Sequence, residues 1–285
     1  MARSIALDGA WLDSGVWLSP ASERYGDILV NAHGLRWVQS AGSGVDTPLL
    51  RRLAQAGVAI SRTEVQSKSI AEFVLARVLG VFQHEQERHR LQSLRTWQAL
   101  DFREIRGSRW LIVGFGAIGR DVATLARSFG AEIVGMRRNR STDPLAHRMA
   151  HPDALLDELA IADVVILSVP LTPPTASMMN KAAFDAMQPE SILVNVGRGG
   201  LVDENALIDA LDCGKLNHAI LDVAAQEPLP RESPLWTHPR ISITAHASAY
   251  GHGLRDRAES FALANILRFM TGEAVLNLAS PPLTC

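Results

Sequence analysis

The sequence predicts an α/β protein with a doubly wound parallel sheet, and three observations support this fold class. From Arg109 onward, short apolar, β-branched runs alternate with helical stretches, which is the order of elements in such sheets. The runs are continuously apolar, as in strands buried on both faces. A glycine-rich turn joins the first run to the first helix. The predicted strands are Trp110–Val113, Ile133–Met136, Val164–Ser168, Ile192–Val196, Ala219–Val223 and Ile241–Thr244.

Helices are predicted between these strands and at both ends of the alternating region. Those between the strands are Asp121–Phe129, Asp153–Ala160, Lys181–Met187 and Glu204–Leu211. Upstream, one uninterrupted helix is expected from Ser67 to Leu94, with an exposed polar second half. Downstream, Leu254–Met270 reads as an amphipathic helix that Gly272 ends. Its predicted apolar side carries Phe261, Leu263, Ile266, Leu267 and Met270.

The first part of the chain shows the same alternation less regularly. Asp27–Val30, Leu35–Val38 and Val58–Ile60 are short candidate strands. Pro48–Ala56 is a candidate helix with proline in its first turn, where its missing N–H costs nothing. The same α/β theme is therefore expected in this part of the chain.

Composition excludes several classes of protein. The 285 residues exceed one ordinary core and suit one large or two medium domains. The 28 basic residues nearly cancel the 30 acidic ones, so nucleic acid is not expected as a partner. The N-terminal residues do not resemble a signal peptide, and no apolar run is long enough to span a bilayer. Two cysteines, Cys213 and Cys285, form neither a disulfide framework nor a cysteine metal cage. We expect a cytoplasmic protein without a metal.

A G-x-G-x-x-G string follows the first strand of the alternating region and opens a helix. In that context Gly114 allows the tight turn, Gly116 lets a pyrophosphate approach the backbone, and Gly119 lets helix and strand pack closely. The helix N-terminus offers unpaired N–H groups to the anion. The turn therefore predicts a dinucleotide site, the alternative being a glycine-rich turn without a ligand.

The residues after the second strand bear on the choice of dinucleotide. An acidic residue there would hold the ribose hydroxyls of NAD, but Arg137 and Arg138 occupy this stretch. Arginines can pair with a 2′-phosphate, and no carboxylate is expected nearby to repel it. We predict NADP as the cofactor, with NAD as the alternative if these arginines form only a solvated loop.

Charged side chains follow three of the predicted strands. Arg198 follows the predicted strand Ile192–Val196. Asp222 lies at the end of the next predicted strand and Glu227 follows it, and His246 follows the last predicted strand. Each has an ordinary structural explanation, and a lone histidine is more often structural than catalytic. Because the carboxyl ends of parallel strands share one edge, their joint position favours a catalytic site.

Several motifs occur in one order along the chain, and together they resemble the D-isomer-specific 2-hydroxyacid dehydrogenase family. They lie within residues 107–250, with weaker similarity in residues 38–46, 71–73 and 269–277. The strongest matches are Gly114–Gly119, Val169–Pro173, Met187–Pro189, Val194–Gly199, Leu221–Val223, Glu227–Pro230 and Thr244–Ser248.

The resemblance implies hydride transfer between NAD(P)H and C2 of a small 2-oxo or D-2-hydroxy acid, with glyoxylate or hydroxypyruvate reduction favoured. Arg198 would hold the substrate carboxylate and His246 would exchange a proton with the substrate oxygen. Glu227 would orient the imidazole. The Gly42, Ser43 and Gly44 backbone would also bind the substrate. Implied cofactor contacts include Ala117, Ile118, Val169, Pro170, Thr175, Val196, Gly197, Ser248 and Asp222, the last through the nicotinamide amide.

The resemblance also implies a discontinuous, flavodoxin-like substrate domain, residues 1–95 with 264–285, beside a Rossmann cofactor domain, residues 96–263. Homodimerisation through the cofactor domain is expected on the same ground. The chain departs from the family pattern in a short N-terminal part and in Ala245, where proline is commoner. Trp97 matches a tryptophan near the active site of related reductases, or is a core residue of the hinge.

Two alternatives stay open at this point. One is an NAD-dependent biosynthetic dehydrogenase, such as one acting on 3-phosphoglycerate, although no regulatory domain or extra phosphate-binding cluster is evident. The other is a dinucleotide-sensing interaction protein resembling transcriptional corepressors, although no partner-binding segment is appended.

Overall fold

The structure is a computed structural model that describes residues 6–13, 22–45 and 47–279. Asp46 and Cys285 lie outside these ranges. The N-terminal residues that were compared with a signal peptide lie partly outside them. The strands are β1 Gly9–Leu12, β2 Trp37–Ser40, β3 Ala59–Ser61, β4 Arg109–Val113, β5 Glu132–Met136, β6 Arg148–Ala150, β7 Val164–Leu167, β8 Ile192–Asn195, β9 His218–Leu221 and β10 Ile241–Ile243. The helices are α1 Ser22–Val30, α2 Pro48–Gln55, α3 Ser67–Phe82, α4 Glu85–Ser93, α5 Ala117–Ser128, α6 Leu155–Leu159, α7 Lys181–Ala186, α8 Glu204–Asp212 and α9 Leu254–Thr271.

The chain divides into two compact units. One contains the described residues up to Gln66 and from Gly251 onward, and the other is Ser67–Tyr250. These boundaries differ from the predicted ones at 95/96 and 263/264. The reason is packing: α3 buries Val74 and Val78 in the same core cluster as Val122 and Ala126 of α5. The helix therefore belongs to the larger unit.

The larger unit is built on seven parallel strands in the order β10-β9-β8-β7-β4-β5-β6. The central strands β7 and β8 are buried along their whole length, as continuous apolar runs require. Chain order reverses at β4, which lies between β5 and β7, and in such sheets ligands bind at that switch point beyond the carboxyl ends of the strands. The predicted doubly wound sheet is confirmed.

The smaller unit has three parallel strands in the order β1-β2-β3 among its described residues. Its core cluster includes Leu12, Val38, Leu50 and Leu53. Thr47 caps α2, because its hydroxyl accepts a hydrogen bond from the Leu50 N–H at 3.3 Å. The α/β theme expected for the first part of the chain is therefore present in this unit.

Two predicted elements were wrong in type or extent. Asp27–Val30, predicted as a strand, is the last turn of α1, in which Tyr25 and Leu29 face the core with helical spacing. The predicted helix Ser67–Leu94 is two helices, because His84 between them adopts a left-handed conformation with φ 55°. An apolar run as short as Asp27–Val30 does not show whether its spacing is helical. A helix break confined to one residue, His84, leaves no clear pattern in the sequence.

The predicted apolar side of α9 was also wrong. Leu263, Leu267 and Met270 are 57%, 63% and 76% exposed, whereas Ala262 and Asn265 are buried. The Asn265 amide donates to Gln39 Oε1 at 2.7 Å and accepts from the Leu276 N–H at 2.7 Å. These paired hydrogen bonds make a buried polar face favourable, which hydrophobic periodicity alone does not predict. Gly272 ends the helix as predicted, with φ 76°.

No helix among the described residues is long and apolar enough to cross a membrane.

We expect the free energy of unfolding to fall in acid because His218 is buried in the folded chain. Its side chain is buried on β9, and burial, followed by the charges of His238 and Arg240, lowers its pKa from 6.5 to about 4. The unfolded chain therefore binds a proton between pH 6.5 and 4 that the folded chain does not. Below pH 6.5 the free energy of unfolding should fall, by about 3 kcal/mol in all near pH 4.

Urea unfolding of His218→Asn between pH 4 and 7 should show a shallower decline than the unaltered chain. The control is His252→Asn, which changes an exposed histidine. Parallel pH profiles of the unaltered chain and His218→Asn would contradict the prediction.

Candidate active site

The glycine turn after β4 has the geometry that a bound pyrophosphate needs. Gly114 has φ 100°, and an added Cβ would lie 2.7 Å from the Ser168 carbonyl. At Gly119 it would lie 2.4 Å from the Gly114 oxygen. At Gly116, by contrast, it would meet nothing within 4 Å, and Gly116, the N-cap of α5, has no side chain with which to cap the helix. The open position and the uncapped helix N-terminus fit a dinucleotide phosphate.

Ala117 and Ile118 form the first turn of α5, so their N–H groups lie at this helix N-terminus. Val169 and Pro170 follow β7, the strand beside β4. Thr175 closes their turn, because its hydroxyl donates to the Pro170 carbonyl at 2.8 Å and accepts from the Thr172 N–H at 2.8 Å.

The arginines after β5 are not equivalent in the structure. Arg137 is half-buried, and its Nη2 donates to Ser141 Oγ at 2.8 Å and to the Ser141 carbonyl at 3.1 Å. Arg138 and Arg140 are exposed. The loop therefore holds one arginine inward and presents the other two to solvent.

The expectation that no carboxylate lies near these arginines was wrong. The Asp143 side chain is 2% exposed and forms an ion pair with Arg120. Its Oδ2 also lies 3.5 Å from Arg137 Nη1. Asp143 and Arg120 are the residues that sequence reasoning missed here. The available signal was Arg120 itself, which directly follows Gly119 and faces the loop after β5.

The Arg198 loop follows β8 and packs closely on the segment after β9. Asn195 holds the loop through two hydrogen bonds, accepting from the Gly197 N–H at 3.1 Å and donating to the Arg198 carbonyl at 2.9 Å. Val196 is buried, and Arg198 Nη1 donates to the Gly197 carbonyl at 2.8 Å. An added Cβ at Gly199 would lie 1.9 Å from Ala224 carbonyl carbon. Only glycine allows this approach.

Glu227 and His246 form the hydrogen-bonded pair that the family resemblance implies. Glu227 Oε2 lies 2.8 Å from His246 Nδ1, and Glu227 Oε1 accepts from the Ala224 N–H at 3.1 Å. The imidazole and the carboxylate are about half exposed, at 53% and 40%. Because Nδ1 faces the carboxylate, Nε2 is the nitrogen left to exchange a proton with a ligand.

Asp222 fixes the loop that carries His246. Its buried carboxylate accepts hydrogen bonds from Thr244 Oγ1 at 2.8 Å, the Ala247 N–H at 2.9 Å, the Ser248 N–H at 3.0 Å and the Ser248 hydroxyl. Its backbone carbonyl accepts from the His246 N–H at 2.7 Å. His246 has φ 53°, a left-handed conformation that costs free energy for residues other than glycine. Such a conformation persists only where the surrounding structure imposes it.

Gly42, Ser43 and Gly44 follow β2 in the smaller unit. The Gly42 N–H donates to Ser40 Oγ at 3.1 Å, and the Gly42 carbonyl accepts from the Thr63 N–H at 3.0 Å. The Gly42 N–H is therefore already engaged. The predicted substrate contacts of Gly42, Ser43 and Gly44 stay a prediction.

The larger unit thus combines a phosphate-binding turn with charged loops on one strand edge. Strands β8, β9 and β10 are neighbours and parallel, so Arg198, Glu227 and His246 follow their carboxyl ends on the edge that also carries the glycine turn. A guanidinium binds a carboxylate, and an imidazole paired with a carboxylate transfers protons. The fold and this edge define an NAD(P)-dependent oxidoreductase of the Rossmann class.

Comparisons with known proteins agree with this class. The profile of "D-isomer specific 2-hydroxyacid dehydrogenase, NAD binding domain" matches residues 75–248. Glyoxylate/hydroxypyruvate reductase A of Serratia proteamaculans is 31% identical over 265 residues, covering 90% of this chain and 82% of the relative. The chain belongs to the D-isomer-specific 2-hydroxyacid dehydrogenase family. The resemblance found in the sequence is confirmed.

Solved structures of similar proteins match both units of the chain. A Xanthobacter autotrophicus member of the family, crystallised with NADPH and MES, is 29% identical with a TM-score of 0.81, covering 96% of this chain and 84% of that one. An NADPH-dependent glyoxylate/hydroxypyruvate reductase of Sinorhizobium meliloti, crystallised with NADP and sulfate, is 25% identical with a TM-score of 0.82, covering 98% and 87%.

Gly199→Ala should destabilise the larger unit, because its Cβ would collide with backbone atoms of Ala224 rather than with a movable side chain. We expect the free energy of unfolding in urea to fall by about 1–3 kcal/mol or more. The matched control is Gly80→Ala in α3, whose Cβ would lie 3.9 Å from Glu85 Cβ. Helix propensity should make that variant about 0.5–1 kcal/mol more stable. Equal unfolding free energies for Gly199→Ala and the unaltered chain would refute the close approach.

Proposed function

We propose that this protein reduces small 2-oxo acids, glyoxylate or hydroxypyruvate among them, with NADPH as the preferred cofactor. The observation that carries the proposal is the 2.8 Å pair of His246 and Glu227 on the strand edge that also bears Arg198 and the glycine turn. The named activities of the Serratia and Sinorhizobium relatives support the choice of substrate.

The cofactor would lie along the edge of the sheet. Gly114, Gly116 and the N-terminus of α5 would hold its pyrophosphate, and the turns after β7 and β8 would flank the nicotinamide. When bound, the reduced nicotinamide supplies the hydride. Asp222 would accept a hydrogen bond from the nicotinamide amide through Oδ2, which receives only the Ser248 hydroxyl in the described structure.

The chain's own residues would supply the remaining steps. The Arg198 guanidinium would bind the substrate carboxylate and orient the adjacent carbonyl. Protonated His246 would donate the Nε2 proton to the carbonyl oxygen as negative charge develops on it. Glu227 would hold the imidazole through Nδ1 and stabilise its positive charge before the transfer. In the oxidative direction His246 would take the proton back.

Replacement of His246 by Ala should lower kcat for glyoxylate reduction by about 100- to 10,000-fold, because the proposed proton donor is removed. NADPH binding, measured by fluorescence titration, should change little. Glu227→Gln keeps the shape of the pair without its charge and should retain more activity than His246→Ala. A His246→Ala variant with near-normal kcat would refute the assigned role.

Replacement of Arg198 by Ala should raise KM for glyoxylate by about 10- to 100-fold, since a charge-assisted hydrogen bond to the carboxylate is lost. Steady-state kinetics with a panel of 2-oxo acids measures this.

A kinetic assay in the oxidative direction, with 3-phosphoglycerate as the substrate, tests the biosynthetic alternative. Tight dinucleotide binding without turnover of any acid would instead favour a dinucleotide sensor.

We also propose that the protein is a homodimer that works in the cytoplasm. Three apolar side chains in the segment after α4 support a dimer: Leu94, Trp97 and Phe102 are 59%, 103% and 54% exposed. Exposed apolar clusters often mark interfaces. The exposure of Trp97 excludes the alternative that this residue belongs to the core of a hinge.

The proposal that the protein works in the cytoplasm rests on the low cysteine content of the chain.

Sedimentation velocity should give a dimer mass for the unaltered chain and a monomer mass for Trp97→Arg, because the charge would be buried in the interface. Leu156→Arg, which changes another half-exposed apolar residue of the larger unit, is the control and should remain dimeric. A monomeric unaltered chain would refute the assembly.

A further inference from the structure

We propose that Glu204, the first residue of α8, is a positioning residue that holds Glu227 beside His246. The inference rests on the proposed function and adds to it a residue outside the groups proposed to bind substrate or cofactor. It begins from one contact between two loops, in which Glu204 Oε1 accepts a hydrogen bond from the Ala225 N–H at 2.7 Å.

Ala224 and Ala225 connect the end of the sheet to Glu227. They follow buried Val223, and Glu227 comes two residues after Ala225. Glu227 Oε1 accepts from the Ala224 N–H at 3.1 Å, so its carboxylate takes its position from this short segment. Ala225 itself is exposed, and therefore a hydrogen bond rather than close packing holds its backbone.

The carboxylate of Glu204 is not needed to begin α8. Asp203 caps the helix, because its Oδ1 accepts from the N–H groups of Asn205 and Ala206, both at 3.1 Å. The Glu204 side chain can therefore reach the loop after β9. Its place in the first helical turn favours a negative charge, and a charged acceptor forms a stronger hydrogen bond than a neutral one.

The turn between Arg198 and α8 contacts the segment after β9 at both of its ends. At one end Gly199 lies so close to the Ala224 backbone that an added Cβ would collide with it. At the other end Glu204 binds the Ala225 N–H. One point of attachment leaves the segment free to rotate, and a second point removes that freedom. Glu204 supplies the second point.

A series of contacts then leads from α8 to the proposed proton donor. Glu204 holds Ala225, the adjoining Ala224 N–H donates to Glu227 Oε1, and Glu227 Oε2 lies 2.8 Å from His246 Nδ1. Proton transfer depends steeply on the placement of the imidazole. Release of Ala225 should therefore lower turnover.

Substrate binding should depend less on Glu204. Asn195 holds the Arg198 loop through separate hydrogen bonds, to the Gly197 N–H and the Arg198 carbonyl. These bonds do not involve Glu204, so the proposed carboxylate ligand keeps its support when the contact to Ala225 is lost.

The first test separates the reach of the Glu204 side chain from its charge. Glu204→Asp keeps the charge at the start of α8 but is too short to reach Ala225, and should lower kcat for glyoxylate reduction by about 10- to 100-fold. Glu204→Gln keeps the length and an accepting oxygen, and should keep kcat within about three-fold of the unaltered chain. KM for glyoxylate should change by no more than about three-fold in either variant.

The control for this test is Asp209→Ala, which removes an exposed carboxylate from the same helix and should change neither kcat nor KM. A normal kcat in Glu204→Asp, or a larger loss in Glu204→Gln than in Glu204→Asp, would overturn the proposal. Thermal melts show whether Glu204→Asp folds, and Glu204→Ala replaces it in every test if it does not.

The second test asks whether Glu204 acts through Glu227. In a Glu227→Ala background, adding Glu204→Asp should lower kcat by no more than about two-fold, because the carboxylate that Glu204 positions is already gone. A merely structural residue would cost the same factor in both backgrounds. A full further loss in the double variant would overturn the proposal.

The third test measures the contact without turnover, by NMR of amide hydrogen exchange. The Ala225 N–H should exchange about 10-fold faster or more in Glu204→Asp, whereas Glu204→Gln should resemble the unaltered chain. Unchanged exchange in Glu204→Asp would overturn this inference even if the unaltered chain reduces glyoxylate. If the unaltered chain reduces no 2-oxo acid, the proposed function is refuted, and the exchange rates still decide whether Glu204 holds Ala225.

Discussion

The hydrogen bonds to the Asp222 carboxylate are the interaction on which the candidate site depends. Two backbone N–H groups and two hydroxyls of the segment after β10 donate to it, and that segment carries His246 in a left-handed conformation. Without an acceptor at the end of β9, the segment would have to satisfy those donors elsewhere, and the imidazole would lose its place beside Glu227. Asp222 therefore joins the parallel sheet to the residue proposed to move the proton.

The same principle, a buried carboxylate that organises a loop, operates at the other side of the switch point. Asp143 gathers Arg120 from α5 and Arg137 from the loop after β5. In both places the carboxylate is buried and accepts hydrogen bonds or ion pairs from the segment that it orders. The side chains that these loops leave at the surface include His246 and Glu227 in one place and Arg138 and Arg140 in the other.

Much of the larger unit could be predicted from the sequence because its strands are continuously apolar and its glycine turn stands between a strand and a helix. The smaller unit was predicted less well. Asp27–Val30 carries an apolar run too short to show helical spacing. The buried face of α9 includes Asn265, whose amide forms hydrogen bonds with Gln39 and Leu276. Such polar pairing depends on residues far apart in the chain, so periodicity cannot reveal it.

The sequence by itself determined the order of the candidate site groups along the chain: a phosphate-binding turn, an arginine, two acids and a histidine. Each lies at the end of a predicted strand or in the loop after it. Those assignments need only local pattern and the rule that parallel strands share an edge. Tertiary structure alone decided that Asp222 braces the histidine segment, that α3 packs with the larger unit, and that Arg137 faces Asp143 whereas its neighbours face solvent. The reason is that hydrogen-bond partners and burial are set by contacts between distant residues, which appear only when the chain has folded.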